Sequence, residues 1–217
     1  MKAWPLLSLV LALPARAELW GFVDATGVAH FAPTQLDRRY TRVLDGVTMQ
    51  RVPGKTDGGV ALLNWLDIAP EVKAVQPWVR EAATLYGVDA DLLKAIIAVE
   101  SGYQRNAMSP RGAVGLMQIT PETALRYATP ADAARLIEPR INIHTGARML
   151  ADLMRRFRSI DAALAAWNAG EGAVRRAGNR VPNIEETQAH VQLVLELYWA
   201  LLQQGQPARA QRLTLHP

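Results

Sequence analysis

From Val60 to Gln203, apolar residues recur at the three- and four-residue spacing of an α-helix, and short turn-like segments separate the stripes. Helix starts are predicted where a capping side chain precedes a proline or an apolar stripe. These starts lie at Asp89 or Asp91, Thr120-Pro121 and Thr129-Pro130, and longer helices are predicted over Pro77 to Tyr86, Ile141 to Phe157, Ile160 to Asn168 and Glu185 to Gln203. The pattern predicts a mainly α-helical domain, which we place at residues 75–203, with a tail at 204–217.

The N-terminus has the layout of a secretion signal. Lys2 precedes a short apolar run from Leu6 to Leu13, and Ala15-Arg16-Ala17 places small residues where a signal peptidase reads them. The run is about eight residues, well below the ~20 that span a bilayer as a helix. We expect residues 1–17 to be cleaved and the mature protein to reach the periplasm or cell envelope without a transmembrane helix. A retained N-terminal anchor is the alternative.

Residues 18–52 have a different, strand-like pattern. Trp20 to Val23 and Val28 to Phe31 flank Asp24-Ala25-Thr26-Gly27, whose Asp and Gly suit a hairpin turn. The sequence predicts a small β-hairpin appendage that serves packing or docking to an envelope or secretion-complex partner. Pro53 to Gly59 is rich in glycine and charge, so we assign residues 53–74 to a linker and lead-in.

Charge and cysteine content exclude several classes of function. The chain has a net charge of +4, and removal of residues 1–17 leaves 22 basic and 20 acidic residues, a net charge of +2. This is too little for a nucleic-acid partner. Without cysteine, the chain forms no disulfide and has no thiolate metal site or lipid-modified cysteine. The four histidines lack the spacing of zinc ligands, and no cofactor motif is present, so we predict neither metal nor cofactor.

Glu100 is the candidate catalytic acid. It continues the stripe of Leu93, Ile96 and Ile97, so its carboxyl group is predicted to face inward. Partial desolvation and the nearby negative end of the helix dipole both disfavour the charged form. A glutamic acid that keeps its proton near neutral pH can act as a general acid. A lone Glu near a helix end is more often solvated or capping, so the case for a catalytic role of Glu100 depends on the segment that follows it.

That segment consists of turn residues and small or amide side chains. Met108-Ser109-Pro110-Arg111-Gly112 is predicted to reverse the chain and bring Ser109 towards the end of the helix. Gly115 permits close backbone approach, and Gln118 offers an amide donor and acceptor that suit a sugar. We expect Leu116 and Met117 to pack in the core.

Two further clusters are ambiguous by themselves. Trp167-Asn168 ends an alanine-rich helix, where an aromatic ring and an amide suit a sugar, although a Trp in this position is more often a core residue. The segment from Pro182 to His190 opens the last helix with acidic residues that favour the helix dipole.

Together these blocks resemble the catalytic domain of the soluble lytic transglycosylase family, which is related in fold to goose-type lysozyme. The resemblance covers about Val75 to Leu201. Its blocks keep the family's order: Glu100-Ser101, Ser109 to Ala113, Gly115 to Gln118, Pro139 to Ile143 with Gly146 to Arg148, Ala165 to Gly170, and Pro182 to Thr187.

The resemblance implies a lysozyme-like fold and cleavage of the bond between N-acetylmuramic acid and N-acetylglucosamine in peptidoglycan. It implies that Glu100 alone protonates the glycosidic oxygen and then deprotonates the C6 hydroxyl, which closes a 1,6-anhydro ring. No second carboxylate appears in the matching blocks near Glu100, in keeping with this chemistry. Ser109 and Gln118 carry over as contacts to muramic acid, and Asn168 as part of the sugar-binding wall.

Two positions depart from the family pattern. Trp167 and His190 stand where the family usually has tyrosines, the second of which reaches the catalytic carboxyl. Trp167 keeps an aromatic platform for the sugar. A neutral His190 can replace the hydroxyl as a donor, whereas a protonated imidazole would weaken the acid.

Two other functions remain open at this point. A hydrolytic muramidase would need a positioned water and a base. An inactive glycan-binding scaffold subunit of an envelope complex would not need Glu100.

Overall fold

The computed structural model describes residues 19–23, 29–32, 35–44, 63 and 65–205. Residues 1–17, the Asp24 to Gly27 turn, the Pro53 to Gly59 segment and residues 206–217 lie outside the described residues. The predictions of a signal peptide, a hairpin turn at Asp24 to Gly27 and a linker at Pro53 to Gly59 therefore remain predictions.

The first described elements are three short strands: β1 (Leu19–Val23), β2 (Ala29–Ala32) and β3 (Thr41–Leu44). They form an antiparallel sheet in the order β2-β1-β3, with Trp20 opposite Ala32 and Val23 opposite Ala29. The two predicted strands thus pair with each other, and β3 is a strand that the sequence pattern did not indicate.

The rest of the described chain is helical. The helices are α1 (Pro70–Tyr86), α2 (Ala90–Ser101), α3 (Pro121–Ala124), α4 (Pro130–Ala133), α5 (Pro139–Phe157), α6 (Ile160–Ala169), α7 (Glu171–Arg176) and α8 (Glu185–Gly205). The prediction of a mainly α-helical fold is confirmed. None of the helices in the described part of the chain is both long enough and apolar enough to cross a membrane.

The predicted start of the first helix at Pro77 was wrong. Helix α1 begins at Pro70 and continues through Pro77, because Val72 and Val75 lie on the same buried stripe as Val79. Burial of this stripe offsets the cost of a proline inside a helix, about 3 kcal/mol. The end was predicted correctly: Gly87 closes α1 in the left-handed conformation at φ 67°.

The short helices begin as the capping pattern predicts. The Thr120 side chain accepts a hydrogen bond from the Thr123 N–H, and Thr129 accepts one from the Asp132 N–H. Both helices last only four residues, because each passes into turns within the next residues. Helix α7 was not predicted at all, since it follows α6 after the single residue Gly170.

Helix α5 lies at the centre of the domain. Its Ile143, Ala147 and Leu150 are fully buried, and it packs against α1 on one side and α6 on the other. Helix α2 packs against α8, and α6 also contacts α8. This packing brings the C-terminal end of α2, the end of α6 and the start of α8 together, although they are far apart in the sequence.

Candidate active site

A groove of about 620 Å³ opens over the C-terminal end of α2. Its wall includes residues of the 109–120 segment, the end of α6 and the start of α8. Among the lining residues are Glu100, Ser109, Arg111, Gln118, Thr123, Arg126, Tyr127, Trp167, Asn168, Glu171 and Glu186.

Glu100 reaches this groove because of the way α2 is built. Asp89 caps the helix by accepting hydrogen bonds from the N–H groups of Asp91 and Leu92, and Gly102 ends it in the left-handed conformation. Ile96 and Ile97 on the same stripe are fully buried, while the Glu100 side chain is 15% exposed. The carboxyl group is therefore mostly buried at the floor of the groove, as its helix position predicts.

Two ring N–H groups converge on one oxygen of Glu100. The Trp167 indole Nε1 donates to Oε1 at 2.8 Å, and His190 Nε2 lies 2.9 Å from the same oxygen. Because both contacts fall on Oε1, Oε2 is the oxygen left for a ligand in the groove.

The other nitrogen of His190 defines the tautomer. Nδ1 is buried and has no hydrogen-bond partner among the described residues. A proton on Nδ1 would be an unsatisfied buried donor, which costs about 1–3 kcal/mol. The arrangement therefore favours a proton on Nε2, which donates a hydrogen bond to Oε1 of Glu100.

The Ser109 turn closes as the sequence predicts. Its Oγ accepts a hydrogen bond from the Ala113 N–H, and its carbonyl accepts one from the Gly112 N–H. The Ser109 hydroxyl hydrogen remains available to a ligand. Gln118 donates its Nε2 hydrogens to the carbonyls of Ala107 and Gly115, so its Oε1 is the atom free to accept.

Asn142, on α5, holds the backbone of this turn and had no assigned role in the sequence. Its Oδ1 accepts from the Met117 N–H at 2.8 Å, and its Nδ2 donates to the carbonyls of Val114 and Leu136 at 2.8 and 2.9 Å. A Cβ at Gly115 would lie 2.5 Å from this Nδ2, and Gly115 has φ +78°. Glycine is therefore required for the predicted close approach, and the partner is Asn142.

The end of α6 supplies the opposite wall. Trp167 follows a run of buried alanines, and Asn168 accepts a hydrogen bond on Oδ1 from the Thr187 hydroxyl at 2.8 Å. This bond connects α6 to the start of α8 and leaves the Nδ2 hydrogens of Asn168 for a ligand.

The groove contains two further carboxylates that were not predicted from the sequence, Glu171 and Glu186. Glu171 pairs with Arg126 at 2.8 Å, Arg156 at 2.9 Å and Arg175 at 3.3 Å. These arginines, Arg126 first, hold the pKa of Glu171 below its usual range. The second carboxylate, Glu186, is exposed in the first turn of α8.

Of the predicted site residues, the structure brings five into the lining of one groove: Glu100, Ser109, Gln118, Trp167 and Asn168. His190 does not line the groove; it contacts Glu100 from behind, with 9% of its side chain exposed. Asn142 and Glu171 were not predicted as site residues from the sequence. A polar residue on an apolar helix face was the signal available for Asn142, and no sequence signal indicated Glu171.

Solved structures of lytic transglycosylases are similar to this chain in fold. An inactive mutant of the lytic transglycosylase Slt from Pseudomonas aeruginosa superposes with a TM-score of 0.54 at 26% identity, covering 69% of this chain and 28% of that one. The 70 kDa soluble lytic transglycosylase of Escherichia coli gives 0.53 at 26% identity, covering 60% and 24%.

The sequence profile of the Transglycosylase SLT domain matches residues 77–189, more than half of the chain. The chain therefore belongs to this family.

Curated relatives include membrane-bound lytic murein transglycosylases C. The protein from Actinobacillus pleuropneumoniae serotype 5b is 36% identical over 48% of this chain and 33% of its own length. That from Serratia proteamaculans is 31% identical over 68% of this chain and 44% of its own length. The chain thus spans less than half the length of the relatives it matches.

Proposed function

We propose that this protein is a peptidoglycan lytic transglycosylase in which Glu100 is the only general acid and base. The observation that carries the proposal is the placement of a mostly buried carboxyl group, with one oxygen held by two N–H donors, in a groove lined by hydroxyl and amide groups. Family membership supports the same assignment.

The first step is cleavage of the bond between N-acetylmuramic acid and N-acetylglucosamine. Oε2 of Glu100 gives its proton to the glycosidic oxygen, the bond from that oxygen to C1 of muramic acid breaks, and N-acetylglucosamine leaves with a hydroxyl group. The N-acetyl group of the muramic acid stabilises the cationic C1. Ser109 and Gln118 bind the muramic acid, and Asn168 binds hydroxyls on the opposite wall.

The second step returns the proton. The Glu100 carboxylate takes the hydrogen of the C6 hydroxyl, and the C6 oxygen forms a bond to C1, which gives the 1,6-anhydro ring without water. Between the two steps Glu100 carries a negative charge. The N–H groups of Trp167 and His190 stabilise that charge on Oε1, since hydrogen bonds to an ionised group are stronger than neutral ones.

The hydrolytic alternative requires a second carboxylate that activates water. Glu171 and Glu186 are the candidates in the groove. Three arginines pair with Glu171, and such neutralisation makes a carboxylate a weak base. Glu186 is exposed in the first turn of α8, and within the described part of the chain no hydrogen bond orients its carboxylate.

The assignment is tested by clearance of a suspension of purified peptidoglycan. Glu100→Gln keeps the shape of the side chain but removes the acid, and it should lower the rate by at least about a thousandfold. Glu186→Gln is the matched control in the same groove and should retain activity. Comparable clearance by Glu100→Gln and wild type would refute the catalytic role. Binding of glycan strands without any clearance by wild type would instead favour the inactive scaffold.

The proposal includes location and partners. Residues 1–17 act as a cleaved signal, so the enzyme works on peptidoglycan in the periplasm or cell envelope. Residues 18–52, with their strands β1 to β3, form an appendage that docks to an envelope partner. The membrane-bound relatives support an envelope location. Fractionation of cells that express the full chain, with N-terminal sequencing of the product, tests the signal.

A further inference from the structure

Four arginines gather around two carboxylates beside the groove. The residues, here called the arginine cluster, are Arg126, Arg155, Arg156 and Arg175 with Asp152 and Glu171. Arg156 joins the two acids, at 2.7 Å from Asp152 and 2.9 Å from Glu171. Arg155 adds a pair with Asp152 at 3.3 Å, and Tyr127 donates its hydroxyl hydrogen to Asp152 at 3.2 Å.

The cluster has a cationic surplus that faces solvent. Four guanidinium groups against two carboxylates leave a net charge of +2. The two acidic side chains are only 18–20% exposed, whereas the four arginines are 40–61% exposed. Both carboxylates are therefore paired within the cluster. Guanidinium hydrogens remain for an external anion, because each guanidinium group carries five N–H donors.

Aromatic rings hold two of the arginines in place. The Arg126 guanidinium lies 5.4 Å from the centre of the Tyr127 ring, and that of Arg175 lies 5.8 Å from the centre of the Phe157 ring. Arginines that are already stacked and paired lose less side-chain entropy when a ligand binds.

The charge of the cluster contrasts with that of the groove. The groove lining contains two arginines, Arg111 and Arg126, and three glutamates, Glu100, Glu171 and Glu186. The positive surplus therefore lies next to the groove and not within it. Arg148 extends it, since its guanidinium donates to the Tyr127 carbonyl at 3.1 Å.

Arg126 and Glu171 belong to both regions, so the cluster adjoins the groove directly. A glycan strand in the groove presents uncharged sugar rings to its lining. The stem peptides attached to muramic acid carry free carboxylates, which guanidinium groups bind with two parallel hydrogen bonds.

We propose that the arginine cluster binds the carboxylates of the stem peptide on the muramic acid unit nearest to it. This inference rests on the proposed function and adds a specificity to it: the enzyme prefers strands that carry peptides over bare glycan.

The test compares two substrates, glycan strands with intact stem peptides and the same strands after an amidase has removed the peptides, which leaves only the lactyl carboxylate on each muramic acid. For wild type, kcat/KM should be higher on the peptide-bearing strands. The double variant Arg155→Gln/Arg175→Gln removes two exposed cations that do not line the groove. It should lower that preference by about fivefold, the effect of two exposed ion pairs.

Two further variants separate charge from folding. Arg155→Lys/Arg175→Lys keeps both charges and should restore most of the preference. Arg135→Gln is the matched control, since Arg135 is an exposed arginine paired with Glu138 outside the groove lining, and it should leave the preference unchanged. Raising the salt concentration should also reduce the preference of wild type.

The outcomes are distinguishable. Equal kcat/KM on both substrates for wild type would overturn the inference but leave the transglycosylase assignment intact. A preference that survives in Arg155→Gln/Arg175→Gln would place the peptide elsewhere and overturn it as well. Failure of wild type to cleave either substrate would refute the proposed function itself.

Discussion

Glu100 differs from the other two glutamates of the groove in its surroundings. Glu171 is paired with cations and Glu186 faces solvent, whereas Glu100 is mostly buried and contacts two ring nitrogens. Hydrogen bonds from these rings stabilise the carboxylate that a single acid and base would form between its two proton transfers.

Trp167 makes a contact that the sequence did not indicate, because its indole N–H donates to the carboxyl group of Glu100. We predict that Trp167→Phe, which keeps an aromatic ring but removes the donor, lowers kcat by about tenfold or more and changes KM little. A hydrogen bond to a charged group contributes about 1.5–3 kcal/mol. Steady-state rates on purified glycan strands provide the measurement. Trp78→Phe, on α1 and outside the groove lining, is the control.

If Trp167 served only as a platform for sugar stacking, Trp167→Phe would instead keep kcat and alter KM. That result would show that the indole N–H of Trp167 does not contribute to proton transfer by Glu100.

His190 should support the carboxylate of Glu100 through the contact between its Nε2 and Oε1 at 2.9 Å. We predict that His190→Phe, which keeps a ring but removes the donor, lowers kcat by about tenfold, because a hydrogen bond to a charged group contributes about 1.5–3 kcal/mol. His190→Tyr, whose hydroxyl can donate in place of Nε2, should keep most of the activity and leave the product unchanged. Steady-state rates and mass spectrometry of the products provide the measurements. A wild-type rate for His190→Phe would count against this role.

At the level of secondary structure elements, the groove depends on the connection between α5 and the 114–118 turn. Asn142 provides three hydrogen bonds to this turn and its surroundings, all to backbone groups. One turn further along the same face of α5, a Cβ at Gly146 would meet the Met117 side chain, so the turn packs directly on the helix backbone. Ser101 adds a bond from its hydroxyl to the Leu116 carbonyl at 2.8 Å, which joins the turn to the end of α2.

We predict that Asn142→Ala lowers the free energy of unfolding by about 3 kcal/mol, because it leaves buried backbone groups without partners. Urea denaturation measures the change. Asn106→Ala, at an exposed position in the preceding loop, should have almost no effect. A difference below about 0.5 kcal/mol for Asn142→Ala would show that water replaces the lost bonds and that the turn does not depend on α5.

Residues within one helical turn of each other predicted where the helices begin and end. They did not predict which helices pack together. Thr120, Thr129 and Gly87 predicted helix ends because capping depends on residues within one turn. The turn at Ser109 was predictable for the same reason. The indole contact with Glu100 joins residues 67 positions apart, and the salt bridge from Arg126 to Glu171 joins residues 45 apart. Such contacts depend on how elements far apart in the sequence pack, which no local pattern contains.

At the level of the whole domain, Glu171 connects three parts of the chain. Its partners lie after α3 (Arg126), on α5 (Arg156) and on α7 (Arg175). Since these arginines lower the pKa of Glu171, its ion pairs stabilise the fold above the usual pKa of a glutamate. This stabilisation is lost as the pH falls through the lowered pKa of the folded state.

We therefore predict that Glu171→Gln lowers stability by about 1 kcal/mol near neutral pH, a value discounted for the exposure of the arginines. The melting temperature should fall by a few degrees at neutral pH, and the difference from wild type should shrink below about pH 4. Thermal unfolding across this pH range tests the prediction, with Glu138→Gln as the control for an exposed pair. A difference that stays constant down to pH 2 would mean that the ion pairs contribute nothing.

The central claim is that one carboxylate performs both proton transfers and that water takes no part. Mass spectrometry of the muropeptides released from purified peptidoglycan tests it most directly. We expect products with 1,6-anhydro ends from wild type and from Glu171→Gln and Glu186→Gln alike. Each product should be one water lighter than the corresponding product with a reducing end. Products with reducing ends in the wild-type digest would contradict the central claim. If Glu171→Gln or Glu186→Gln then failed to form these reducing ends, the substituted residue would be the second carboxylate of a hydrolase.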